Sequence, residues 1–199
     1  MENMRRKQQV VSDVLPGSPA ERVGIVKDDV LLSINGEPVI DLVDYEHLTS
    51  SERLTLVIQK TNGDCEQIDL DKDDYEPLGL TFATSLMDSM RTCKNHCVFC
   101  FIDQMPKGGR SSLHVKDDDW RMSFVMGNYV TLTNLDEREL DRVIRRRVSP
   151  LYVSLHASDP AVRRAMMKNP HAGDILPQLR RLSEAGLNFH LQIVLCPGL

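Results

Sequence analysis

Three thiols crowd into one short stretch of this chain, MRTCKNHCVFCFIDQ (residues 90–104). Cys93, Cys97 and Cys100 are spaced C-x3-C-x2-C, a loop that can curl three soft thiolates around one inorganic cluster or ion. Three ligands leave one position vacant. A structural zinc site normally closes its tetrahedron with a fourth protein ligand, and His96 or the distant Cys196 are the residues available for that. The chain holds five cysteines, an odd number. That is poor arithmetic for a disulfide framework and better arithmetic for a metal site in a reducing, cytoplasmic setting.

The elements that position this loop fall into two patterns. Residues 1–60 read as a small β-rich module. Val10, Val11 and Val14 begin an extended run. LPGSPAERVGI is a turn and a short helix, with Ser18 as cap and Pro19 in the first helical position. VLLSING (30–36) is a strand that ends in the tight-turn pair Asn35-Gly36. DLVDYEHLTS suggests a helix, and LTLVIQK (54–60) a final strand. Residues 61–78 are acidic and turn-rich, a linker in which CEQIDL can form one more strand.

From Gly79 to Leu199 strand and helix alternate. LTFATS (80–85), NYVTLTN (128–134), LYVSLHA (151–157) and FHLQIVL (189–195) are the strand candidates. Helices are expected over 136–147, with Asn134 as cap, over 161–168 behind Ser158-Asp159-Pro160, and over 174–185. Alternation of this kind argues for a parallel sheet with crossover helices. The fold expected is therefore α/β, a β-rich module followed by part of a β/α barrel. MPKGGRSSLHVKDDDWRMSF (105–124) reads as a polar loop with Asp117–Asp119 solvated and Trp120 buried. As a lid, its Arg110 and Arg121 would grip an anionic group and its acids would hold a cation.

Two resemblances follow from these residues. The stretch VLPGSPAERVGIVKDDVLLSINGEPVIDLVDYEHL resembles a PDZ domain of the bacterial type. That family adds an extended peptide end as a strand to a sheet edge, which implies a peptide or protein partner. The carboxylate-binding glycine loop expected before the first strand is missing, since residues 1–9 hold no glycine.

The motif C-x3-C-x-F-C after a predicted strand resembles the radical SAM superfamily. The resemblance implies that Cys93, Cys97 and Cys100 hold three irons of a [4Fe–4S] cluster, with S-adenosylmethionine on the fourth. Reductive cleavage would then give a 5′-deoxyadenosyl radical that abstracts hydrogen from a substrate, and Phe99 would pack beside the cofactor. Where the superfamily carries a Gly-Gly-Glu-Pro-like segment, this chain reads TLTN (131–134). Thr133 or Asn134 would supply the oxygen there. Ser154 and His156 on the third strand and Gln192 on the fourth would face the pocket. CFIDQMPKGGR, KDDDWRMSF, GNYVTLTN, SPLYVSLHA and QIVLCPG together resemble a group of uncharacterised bacterial PDZ-containing radical SAM-like proteins, which continue into a further C-terminal domain.

Composition narrows the function classes. The chain has 199 residues, and 24 basic against 29 acidic side chains give a net charge of −5. A mild acidic balance argues against a general nucleic-acid or membrane-surface binder. The Arg145–Arg147 run complements the dipole of the helix it ends. No stretch approaches the ~20 apolar residues of a membrane span, and MENMRRKQQV lacks the apolar region of a secretory signal. Beyond residue 78 only 121 residues remain, about four strands and roughly half a barrel, so the chain reads as the N-terminal portion of a longer enzyme. A second class also fits the residues: a non-catalytic adaptor with a peptide-binding module and a zinc or redox-sensing cysteine domain.

Overall fold

The computed structural model describes residues 8–198, so most of the glycine-free N-terminal stretch and of the basic start lies outside the described residues. The chain divides into two compact units, residues 8–89 and 90–198.

The first unit is built on an antiparallel sheet. Its strands are β1 (Gln9–Val14), β2 (Val30–Ile34), β3 (Glu37–Pro38), β4 (Arg53–Gln59), β5 (Cys65–Asp71) and β6 (Leu80–Phe82). The order is β5-β4-β2-β1-β6, with β3 paired to β2. Asn35 and Gly36 both take positive φ, 52° and 78°, which is the turn that matches hairpin twist. Helix α1 (Pro19–Arg22) starts as its sequence dictates: the Ser18 hydroxyl accepts from the Glu21 N–H and Pro19 stands at its first position. Helix α2 (Leu42–Thr49) is capped by the Asp41 carboxylate, which accepts from the Val43 N–H. β4 alternates strictly, sending Leu54, Leu56 and Ile58 into a core with Val11, Leu31 and Ile34.

The extra strand expected at CEQIDL within the acidic stretch 61–78 forms, and it runs one residue further: β5 pairs with β4 from Cys65↔Gln59 to Asp71↔Arg53. The apolar run after Gly79 does form a strand, but β6 runs antiparallel to β1, at Val11↔Phe82 and Val14↔Leu80. It completes the first unit and does not open a parallel array. Leu78, Leu80 and Met87 enter the core of that unit. Gly79 makes the junction: it has φ +90°, and a Cβ there would lie 2.2 Å from Cβ of Ser18. A three-residue apolar strand reads the same for either sheet, so its partner is a matter of tertiary packing.

The second unit is mixed α/β. It comprises α3 (Trp120–Met126), α4 (Glu137–Arg145), β7 (Leu151–Ser154), α5 (Pro160–Met167), α6 (Ile175–Glu184) and β8 (Phe189–Gln192). β7 and β8 are parallel, from Leu151↔Phe189 to Ser154↔Gln192, with α5 and α6 as the crossover. The segment expected as a strand over 128–134 contributes one parallel bridge, Val130↔Val153. It is held at its centre and leaves the ladder on either side.

Helix α3 was not expected in the 105–124 loop. The Asp119 carboxylate caps it by accepting from the Arg121 N–H, and Gly127 ends it in the left-handed conformation. Asp118 and Asp119 are therefore buried where solvated acids were expected, and Arg121 is buried against Asp119 at 2.6 Å rather than offered to an anion. The cap of α4 is Asp136, not Asn134, because it is the Asp136 carboxylate that accepts from the Glu139 N–H.

Candidate functional site

The cysteine loop is pinned by backbone bonds before any side chain is considered. The Cys93 N–H donates to the Lys116 carbonyl at 2.8 Å. The His96 and Val98 N–H groups donate to the carbonyls of Met167 and Met166, at 3.0 and 2.9 Å. These are carbonyls at the end of α5, which a helix leaves without internal partners. The loop thus caps a helix while it turns its thiols inward.

A cavity of about 560 Å³ receives those thiols. Cys93, Cys97, Cys100 and Phe99 form one wall, and Thr131, Ser154, His156 and Gln192 line the strand side. The strand residues lie at or just beyond the C-terminal ends of β7 and β8, the end at which parallel β/α folds carry their sites. Phe99 meets His156 edge to face, with ring centroids 4.6 Å apart. His156 is bent into the pocket at φ 62°, and its Nδ1 accepts from the Val194 N–H at 3.4 Å.

The sequence-predicted residues are mostly together. Cys93, Cys97, Cys100, Phe99, Ser154, His156 and Gln192 all line the cavity. Thr133 and Asn134 do not; Thr131 stands on this wall instead, and Thr133 lines a smaller cavity of about 270 Å³ beside α6. His96 is 75% exposed and turns to Asp103, 4.0 Å away, and neither it nor Cys196 is on the cavity wall.

Several residues that sequence reasoning passed over hold the site in place. Asn95 is fully buried between the cysteine loop and the 131–133 segment. The Asp118 carboxylate accepts from the Thr131 N–H at 2.5 Å and from its hydroxyl at 2.6 Å. An acid thus does stand against the TLTN segment, supplied from the loop before it. Arg163 is 1% exposed and donates to the carbonyls of Leu155, Thr131 and Ser154 at 2.8, 2.9 and 3.0 Å, and to that of Ala172. It ties the strand ends together beneath the cavity. Asp118 carried a signal as one of three consecutive acids, and Asn95 by its place between two cysteines. An arginine on a helix reads as solvated until its neighbours are known.

The electrostatics hold Cys93, Cys97 and the His156 imidazole in their neutral forms. Burial, and then the neighbouring Cys93 and Cys100, push the Cys97 thiol up to about 11. Burial also raises Cys93. A bound cation would reverse this, because thiolate ligation releases the protons. Burial, and then the charge of Arg163, bring His156 down to about 4, so the imidazole is neutral. With Nδ1 accepting from Val194, its Nε2–H is the donor. Burial works against the charge of Lys116, yet its hydrogen bond to Asp103 at 2.6 Å, with the nearby thiols, raises it.

Among the described residues, no group of three or more His, Cys, Asp or Glu side chains is gathered to hold a metal ion. The donor set is nevertheless chemically apt for iron: three soft sulfur ligands stand on one cavity wall.

Comparison with known proteins agrees with both units. Residues 10–60 match the PDZ domain. A stretch of 68 residues is 29% identical to the putative protease Do-like 14 of Arabidopsis thaliana. That stretch is 34% of this chain, and the chain spans only 15% of the length of that relative. Residues 72–199 match the Radical SAM-like domain, a match that starts upstream of the second compact unit and takes in β6. It covers well over half of the chain, and this protein therefore belongs to the radical SAM-like domain family.

Proposed function

We propose that the second unit is the cofactor-binding part of an iron–sulfur, S-adenosylmethionine-dependent radical enzyme. What supports this reading is the shared cavity, with Cys93, Cys97 and Cys100 facing Ser154, His156 and Gln192 across it. The three cysteines would hold a [4Fe–4S] cluster and leave one iron for S-adenosylmethionine. When bound, that pair supplies one-electron chemistry that no side chain can supply.

The protein's own part is binding and orientation. Phe99 offers a ring face to a planar group. The neutral His156 donates from Nε2. Ser154 and Gln192, with Oγ and Oε1 3.4 Å apart, offer polar atoms at the strand ends. Thr133 meets this wall only through the Thr131 hydroxyl, 2.9 Å from its own. Lys116 places a positive charge beside the cysteine loop, which favours the thiolate forms.

Anaerobic reconstitution of the full chain should give a brown protein with a reducible, EPR-active cluster. It should cleave S-adenosylmethionine to 5′-deoxyadenosine, and Cys97→Ala should abolish that cleavage. Stoichiometric zinc with no uptake of iron would overturn the proposal and leave the adaptor reading.

The PDZ domain brings a general peptide- or protein-binding role. For this chain we assign the added strand to the outer edge of β6, since β1 already pairs with β2 and β6. α2 stands beside that edge: Tyr45 packs on Phe82 at 5.3 Å and bonds the Leu80 backbone. A C-terminal peptide library that yields no binder to the whole chain would remove this role. Among the described residues no helix is long and apolar enough to cross a membrane.

A further inference from the structure

Asn95 joins the cysteine loop to three other segments, through Thr131 and Thr133, Asn169 and Lys116. It is fully buried. Its Nδ2 lies 3.3 Å from Sγ of Cys93, 2.9 Å from Oγ1 of Thr131 and 3.0 Å from Oγ1 of Thr133. Two hydrogens therefore serve three acceptors. The orientation of an amide is often open to a flip, but here the neighbours decide it. The His171 N–H donates to Oδ1 of Asn169 at 2.9 Å. That leaves Nδ2 of Asn169 as the donor to Oδ1 of Asn95, at 2.6 Å. With its oxygen occupied, Asn95 must turn its N–H groups toward Cys93 and the threonines. The Thr131 hydroxyl donates to Asp118 at 2.6 Å, so toward Asn95 it is an acceptor, as the assignment requires. Lys116 fixes the backbone at the same point by donating to the Asn95 carbonyl at 2.7 Å.

We propose that Asn95 is a positioning residue that donates an N–H to the Cys93 sulfur, oriented by Asn169, and thereby raises the reduction potential of the cluster that this cysteine helps to hold. The inference rests on the proposed iron–sulfur function and adds a residue to it. The physical basis is charge. Reduction adds negative charge to the cluster and its sulfurs, and an N–H···S bond stabilises that charge more in the reduced form than in the oxidised one. The relay reaches from the turn after α5 into the ligand loop, so a residue 74 positions from Asn95 sets the direction of its amide.

The test uses the full chain, reconstituted with iron and sulfide without oxygen, and reads midpoint potential and iron content. Asn95→Leu keeps the volume and removes the donor. Asn169→Ala leaves Asn95 in place and frees its amide. In Asn95→Leu the equilibrium for reduction should fall at least tenfold, about 59 mV for a one-electron couple. In Asn169→Ala it should fall in the same direction by a smaller factor. A potential within twofold of the parent in iron-loaded chains overturns the inference. Should Asn95→Leu fail to fold or to load, the potential of Asn169→Ala decides alone. A parent chain that takes up no iron overturns the proposed function itself, an outcome distinct from a parent that loads and variants that match it.

Discussion

Buried polar side chains do different work in the two units. In the first, the buried aspartates bond mainly to backbone N–H groups within four residues. Asp41 caps α2, Asp44 accepts from the Ile40 N–H, and Asp29 accepts from the Val26 N–H and pairs with Lys60. Cohesion comes from a single apolar core under an antiparallel ladder. In the second, buried polar groups join segments far apart in the chain. Asn95 reaches Thr131 and Asn169, Arg91 reaches Asp119, and Arg163 gathers four carbonyls from three segments. Among the described residues, a two-stranded sheet and two isolated bridges run through this unit. A unit that must keep a polar cavity at its strand ends cannot fill that space with leucine. It fixes its loops with hydrogen bonds instead, which are costly to leave unmade.

The largest expected effect tests that contrast directly. Arg163→Met removes the donor to four buried carbonyls, and should cost roughly 4 kcal/mol. Hydrogen exchange should show protection lost over residues 90–198 and kept over 8–89. Equal loss in both units would break the comparison. Leu56→Ala, at a fully buried position of β4, should cost about 3 kcal/mol by transfer and cavity. Its exchange signature should be the reverse, with the first unit opening.

A smaller effect sharpens where the first unit ends. Gly79→Ala forces a Cβ onto Ser18 at positive φ, and should cost about 2 kcal/mol. The amides of β1 and β6 should exchange faster, while the cysteine-loop amides should not. Faster exchange confined to residues beyond 89 would return β6 to the second unit.

The smallest effect is electrostatic. Burial alone would raise the Asp119 carboxyl, but hydrogen bonds from Arg121 and from the Arg91 N–H, with the guanidinium charge of Arg121, hold it below the ordinary carboxylate range. A depressed folded value stabilises above the unfolded value, about 3.9, and that stability is lost as pH falls through the folded value. Asp119→Asn should therefore cost about 1.5 kcal/mol near neutrality and almost nothing in strong acid. Denaturant unfolding at both pH values measures the difference. A loss independent of pH would show that the charge of this carboxylate contributes nothing.

The sequence by itself determined the local features. Ser18-Pro19 started a helix, Asn35-Gly36 turned a hairpin, Leu54, Leu56 and Ile58 gave β4 its buried face, and Asp159-Pro160 opened α5. Each rests on a period or a cap that spans only a few residues. The cysteine spacing likewise marked the loop that faces the cavity. Tertiary structure decided the rest. β6 could join either sheet until Gly79 packed on Ser18. The strand expected over 128–134 kept one bridge, since Asp118, from an earlier loop, takes the Thr131 N–H. Asp118, Asp119 and Arg121 looked solvated because charge alone does not reveal burial. Asn95 and Arg163 matter through partners on other segments, up to 74 residues away, and no local pattern encodes a hydrogen bond that only the folded chain brings within reach.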